Sequence, residues 1–328
     1  MNDWNTDVIE KYDLTVEKLR RGRGAWVAET DRGLMLLKEY KGSQKRLQME
    51  ETVLASVSGL TGLRVDQIVR NQEGELISKA EDGTPYIVRN WYEDPEIRMD
   101  HIPDILKAVG QLAMLHKAMR TITADEEWDL RSMVAPPFYE NMKKYNREMK
   151  KARLYIRKKQ RKNDFELEVM ENFDEFFETA LKTEEKMEAL YRKAEGGEKK
   201  PSEICHGEMN QHHILMGDRY VAVTGFHKMH LGFQIEDLYY FMRKIMEKHD
   251  WNRKLGDDMV RAYENVLPMD EFERECLSLL FTYPEKYRKQ INFHYNTRKA
   301  FIPERKTGKL KTLMEQKTAR EKFAASLF

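Results

Sequence analysis

Cysteine is scarce in this chain: Cys205 and Cys276 are the only two among 328 residues, too few for a disulfide framework and suited to a reducing compartment. No apolar run approaches the roughly 20 residues needed to cross a bilayer. The opening residues Met1 to Val8 lack the basic stretch and apolar core of a secretory signal. An excess of either charge is missing as well. With 57 Lys and Arg against 56 Asp and Glu, no global field draws the protein to nucleic acid or an acidic membrane, so any basic surface is local. These absences predict a soluble protein made in the cytoplasm, without membrane insertion. Nucleic acid is not an expected partner, because the aromatics are not interleaved with basic residues as base stacking requires.

What is present is large enough for two lobes. From Leu14 to Tyr40, short β-prone runs are broken by Gly22, Gly24 and Gly33, which predicts three antiparallel strands, Leu14–Leu19, Ala25–Thr30 and Leu34–Lys38. Ser43 is placed to cap a helix carrying Leu47, Glu50, Val53, Leu54 and Val57 on spacings of three and four, ending near Gly59. Val65–Val69 and Tyr86–Val88 read as two further strands.

After Trp91 and Tyr92 the period changes to that of helices, beginning with Ile102–Met119, whose Leu106, Val109, Leu112 and Leu115 share a face. Residues 1–89 are thus expected to form a β-rich lobe, 90–95 a hinge and 96–297 a helical lobe. A charged helical hairpin is expected at about 138–195 and a basic tail at 298–328. Within the hairpin, Lys143 to Lys162 carries eleven basic side chains and one acid, whereas Asp164 to Glu188 carries ten acids and two bases. Antiparallel pairing brings the opposite charges together, with Leu154, Ile156, Phe165, Leu167, Phe173, Phe176 and Phe177 on the inner face. The basic arm is alternatively a surface for an acidic partner. The tail reads either as disordered or as a contact surface.

Phosphoryl transfer of the protein-kinase kind needs a strand lysine for the nucleotide phosphates, a helix glutamate to hold it, a catalytic-loop carboxylate and oxygen ligands for magnesium. Lys38 ends the third strand and Glu50 lies on the next helix. Leu112-Ala-Met-Leu115-His116 and the stretch His206-Gly207-Glu208-Met-Asn210-Gln-His-His213 follow, and then Thr224-Gly225-Phe226-His227. With these parts in this order the chain resembles the aminoglycoside-phosphotransferase-like kinases, and within that superfamily the CotS-type spore-coat proteins. The resemblance extends to Leu34–Tyr40, the hairpin with Lys158-Lys159 and Asn172-Phe173-Asp174, and Ile235-Glu-Asp237-Leu238. It implies an α+β, bilobal protein-kinase-like fold with a small antiparallel sheet and one helix in the N-lobe and a larger, mainly helical C-lobe. It implies ATP as the nucleotide, with Lys38, Glu50, Trp91 and Tyr92 around it, and His206 and Asp237 as the scaffold of the catalytic loop. It also implies other spore-coat proteins as partners and deposition on the spore coat.

The departures from the family pattern carry chemical meaning. Glu208 keeps a carboxylate at the position of the catalytic base, one methylene longer than aspartate. His213 replaces an asparagine ligand and Gly225 an aspartate ligand, so two oxygen donors for magnesium are lost, and imidazole suits this hard ion poorly. Magnesium binding and ordinary phosphotransfer are therefore expected to fail, leaving a degenerate kinase with a structural or scaffold role. Two alternatives stay open. One is an active ATP-dependent phosphotransferase on a small-molecule or sugar-like hydroxyl with Glu208 as base. The other is zinc held by His213 and His227, within the cluster His206, His212, His213, His227 and His230.

Overall fold

The computed structural model describes residues 6–22, 24–123, 125, 128, 130–195, 202–296 and 304–327. Contacts divide the chain into two compact units. The first comprises Met1–Val134, Glu203–Leu231 and Asn265–Leu267, and the second Ala135–Ser202, Gly232–Glu264 and Pro268–Phe328. This division differs from the expected segments 1–89, 90–95, 96–297 and 298–328, because packing joins stretches far apart in sequence.

In the first unit a short helix α1 (Thr6–Ile9) precedes β1 (Val16–Arg21), β2 (Trp26–Thr30) and β3 (Gly33–Glu39). These pair antiparallel in that order, as the alternating pattern predicts. Ser43 caps α2 (Gln44–Thr61) by accepting from the Arg46 N–H. The helix continues past Gly59 and ends at Gly62, which takes the left-handed conformation of a C-cap. The expected strand Val65–Val69 is instead two, β4 (Arg64–Val65) and β5 (Ile68–Val69), because the chain changes sheets at Asp66. After β6 (Ser78–Lys79), β7 (Pro85–Asn90) closes on β3 with Lys38 opposite Ile87 and Leu36 opposite Arg89. Side chains alternate across the sheet. Met35, Leu37 and Val88 therefore join one core cluster with Val8 and Tyr12, while Ile87 joins another with Leu47 of α2. Helix α3 (Ile102–Arg120) buries Ile105, Val109, Leu112 and His116.

The second unit is built on α4 (Phe138–Lys158) and α5 (Asp164–Glu195). Their charges meet as expected, Lys143 with Glu188, Arg153 with Asp174 and Lys159 with Glu166, each at 2.7 Å. Asn163 and Glu166 cap α5 reciprocally, at 3.0 and 3.1 Å. Ile156, Phe165, Phe173 and Phe176 are buried. Leu154 and Leu167 are not, being 46% and 53% exposed. On α4 the buried stripe runs Met142, Asn146, Met149, Ala152, Ile156, and the helical period carries Leu154 off it.

Four further short strands follow among the described residues, namely β8 (Glu203–Cys205), β9 (Ile214–Met216), β10 (Val221–Val223) and β11 (His230–Gly232), and they lie in the first unit as far as Leu231. The second unit continues with α6 (Ile235–Lys248), α7 (Arg253–Glu264), α8 (Glu271–Thr282) and α9 (Glu285–Asn296). The stretch read as a basic tail folds from Glu304 onward into α10 (Glu304–Glu315) and α11 (Lys317–Ala325). Leu310 and Phe323 are fully buried there, and the Ser278 hydroxyl donates to the Ala324 carbonyl at 2.9 Å. Burial of that apolar stripe explains why this part is not disordered. Residues 298–303 and 328 of the expected tail lie outside the described residues. Among the described residues no helix is long and apolar enough to cross a membrane.

Candidate functional site

The residues matching the kinase-like pattern, Asp237 apart, gather in the first unit, around a buried ion cluster that their sequence order does not announce. Glu50 of α2 is 3% exposed, and its carboxylate lies 2.8 Å from the Arg89 guanidinium of β7. Asp66, also buried, lies 3.8 Å from the same guanidinium and accepts the Gly225 N–H at 3.1 Å. Two carboxylates thus share one cation. Burial pushes the Asp66 carboxyl up and Arg89 pulls it down, while the Glu50 charge adds to the rise, leaving it at about 6. Burial opposes the charged form of Arg89, but Glu50 and Asp66 outweigh it and hold the guanidinium above its ordinary range. Glu50 is therefore engaged with Arg89, and the Lys38 ammonium has no hydrogen-bond or ion-pair partner among the described residues. Lys38 still acts on the site through its charge, which helps lower the His227 pKa after burial, the main cause.

The loop after β8 is held by backbone and imidazole. His206 is fully buried; its Nδ1 accepts the Glu208 N–H at 3.2 Å, so its Nε2 carries the proton and donates to the Thr224 carbonyl at 2.9 Å. Asn210 accepts the His212 N–H at 2.9 Å and donates to the Glu208 carbonyl at 2.7 Å. Gly207 sits at φ 84, where a Cβ would stand 2.1 Å from the Lys228 carbonyl oxygen, so loop and facing turn meet backbone to backbone. Arg46 of α2 ties that turn down by donating to the carbonyls of His227 and Met229 at 3.1 and 2.8 Å.

The Glu208 carboxylate is already neutralised. Lys228 Nζ approaches one oxygen at 2.7 Å and His227 Nε2 the other at 3.1 Å. Burial raises its pKa, but the Lys228 hydrogen bond and the charges of Lys228, His227 and His213 outweigh it, so the group is held below the usual glutamate range. A carboxylate in this state is a weaker proton acceptor than a free one.

Gly225 and His213 form one unit of packing. Gly225 is at φ 89, and a Cβ there would stand 2.4 Å from both Cε1 and Nδ1 of the His213 ring. The imidazole fills the space into which a side chain at 225 would project. Burial, with the nearby His206 adding to it, pushes His213 down to about 4, so the ring is neutral at physiological pH.

Trp91 and Tyr92 lie where the chain leaves β7. Both are half-buried, with the Trp91 N–H bonded to the Leu34 carbonyl at 2.9 Å. The Tyr92 hydroxyl donates to the Val65 carbonyl at 3.1 Å, and its ring lies 6.2 Å from that of Tyr220. Asp237 is fully buried in the first turn of α6, in the second unit. Arg89 and Asp66 are the residues that sequence reasoning missed. Their signal was a charged residue inside or at the end of an apolar strand run, Val65-Asp66-Gln-Ile68 and Tyr86-Ile-Val-Arg89.

The donor set does not fit magnesium. Position 225 offers no side chain, His213 offers nitrogen, and the nearest loop carboxylate is held by the Lys228 ammonium and the His227 ring. Zinc fares no better: among the described residues no three His, Cys, Asp or Glu side chains gather at metal-holding distances. The clustered histidines have separate partners instead, His212 with Glu96 at 2.7 Å and His230 with the Lys228 carbonyl at 3.1 Å.

No protein-family model matches the sequence, and no curated protein matches it. Solved structures do match its fold. An aminoglycoside phosphotransferase from Alicyclobacillus acidocaldarius superposes with a TM-score of 0.81 at 16% identity, covering 98% of this chain and 94% of that one. Spectinomycin phosphotransferase, solved with ADP and spectinomycin, gives 0.65 at 12% identity over 98% and 97% of the two chains. Amicoumacin kinase, solved with AMP-PNP and Ca2+, gives 0.63 at 11% identity over 98% and 94%. The chain therefore has the bilobal fold of the aminoglycoside-phosphotransferase-like kinases, with an antiparallel sheet and helix in one lobe and a mainly helical second lobe.

Proposed function

We propose that this protein is a kinase-fold scaffold in which magnesium-dependent phosphotransfer has been lost. The observation that carries the reading is the packing of His213 on Gly225: the position of one metal ligand is occupied by the ring that stands at the other. The pairing of Glu50 with Arg89 and the neutralised Glu208 support it, since each engages a part that phosphotransfer would need free. Any ATP taken up at Lys38 would be held without magnesium. The partner we propose is an acidic protein surface, met by the outer face of α4, where Lys144, Lys151 and Lys158 recur every seven residues and are exposed. The resemblance to CotS-type proteins supports placing that partnership in a spore coat, after synthesis in the cytoplasm.

Melting curves with ATP, with and without magnesium, test the loss of phosphotransfer. The expected result is no magnesium-dependent stabilisation and no phosphate release. Stabilisation by magnesium and ATP together, with phosphate release abolished by Glu208→Ala, would overturn the reading. Expression confined to sporulation and recovery of the protein with purified coats test the location; expression throughout growth with none on coats rejects it.

A further inference from the structure

The second unit contains a cationic cavity that the kinase-like site leaves unexplained. Arg320 of α11 is 7% exposed, and its Nε and Nη2 have no hydrogen-bond partner among the described residues. The carboxylate of Glu321 lies 3.9 Å away, beyond hydrogen-bond reach, and also serves Lys317 at 3.6 Å. Arg243 of α6 lines the same cavity. It reaches Glu247 at 2.6 Å, yet its own buried Nε has no acceptor among the described residues. Lys286, a third cation on the wall, approaches the other Glu247 oxygen at 3.3 Å. Glu285 also borders the cavity but is engaged by Arg288 at 2.5 Å and Lys289 at 3.1 Å.

Of three cations at the cavity, Arg243 and Lys286 share the Glu247 carboxylate while Arg320 has only the more distant Glu321, and three buried N–H donors point to no acceptor. Burying a guanidinium without a counter-charge is costly, and burial accordingly pushes the Arg320 pKa down. The free space is about 20 Å³, enough for one particle of about the size of water. Phosphate groups and nucleotides are too large for it. Water would accept hydrogen bonds but leave the charge unbalanced.

We propose that this cavity binds a single monatomic anion, a halide such as chloride, held by the N–H groups of Arg320 and Arg243. The ion would tie α11 to α6 by charge, beside the packing of Phe323 on Phe281 of α8, which makes the anchoring of the carboxy-terminal helices dependent on the anion present.

Melting of the full chain, followed while chloride replaces bulky gluconate at constant ionic strength, tests this. The expected result is a Tm about 2–4 °C higher in roughly 0.3 M chloride than in its absence, the same rise with bromide, and no rise in Arg320→Met. Crystals grown in bromide give a second readout that does not depend on the variant folding: an anomalous peak within hydrogen-bond reach of Arg320 Nε. A bromide map empty at that place, meaning that water fills the cavity, overturns the proposal. So does an equal rise in wild type and Arg320→Met.

Discussion

His213 is the residue whose replacement reports most directly on the altered loop. Its pKa is about 4 in the fold against an ordinary 6.5, so the unfolded chain takes up a proton that the native state refuses. Its stabilising contribution is complete above pH 6.5 and is lost as pH falls towards 4. The loss is about 0.2 kcal/mol at pH 7, about 2 at pH 5 and about 3 at pH 4. Asp66, on the other side of Gly225, works in the opposite sense. With its carboxyl raised to about 6, its contribution is complete below about pH 4 and falls by about 3 kcal/mol as pH rises through 6. In the wild type the two effects nearly cancel across this window, whereas His213→Asn leaves the Asp66 effect uncovered. Urea unfolding of both proteins between pH 7.5 and 4.5 measures the difference. Loss of ring packing gives an offset that does not depend on pH, so the slope is the informative quantity. The variant should gain on the wild type by about 2 kcal/mol between pH 7 and 5. A difference that stays constant across the range would refute a buried, neutral His213.

Gly225→Asp alone should destabilise by more than about 2 kcal/mol, because it adds a clash with the ring to an unfavourable φ. Combined with His213→Asn it should recover at least ~1 kcal/mol in a double-mutant cycle, and additive losses would show that the two positions are not coupled. Arg89→Met, which leaves Glu50 and Asp66 buried without their cation, should cost about 3–5 kcal/mol by chemical denaturation; a loss under ~1 kcal/mol would mean that the cluster is solvated. Asn163→Ala removes the cap of α5 and should cost about 1 kcal/mol, read from thermal melting, with no change in the pH dependence.

Much of the fold was legible along the chain because its signals are local. Glycine-broken strands, the Ser43 cap and the period of α3 each depend on neighbours a few residues apart. The charges of α4 and α5 meet as read because opposite runs joined by a short turn have one compact way to pair. The signals that misled were equally local. Leu154 and Leu167 are apolar, but their exposure depends on which helical stripe faces the partner. Val65–Val69 is strand-like throughout, yet the need to bury Asp66 beside Arg89 and the Gly225 N–H divides it between two sheets. The carboxy-terminal stretch looks too basic to fold, and Leu310 and Phe323 gain their burial from helices far away in sequence.

For the candidate site the division is sharper. Residue identity by itself excludes side-chain oxygen donors at these two positions, since a glycine at 225 has no side chain and an imidazole at 213 offers nitrogen, wherever they lie. Only the tertiary structure decided how those positions are used: His213 rests on Gly225, Lys228 pairs with Glu208 beside the His227 ring, and Arg89 holds Glu50. These pairings join residues from 12 to 39 positions apart through separate elements. For Arg89 with Glu50 and for His213 on Gly225 the strength comes from burial, which raises both the cost of an unpaired charge and the worth of a paired one, and burial is a property of the fold rather than of the sequence read residue by residue.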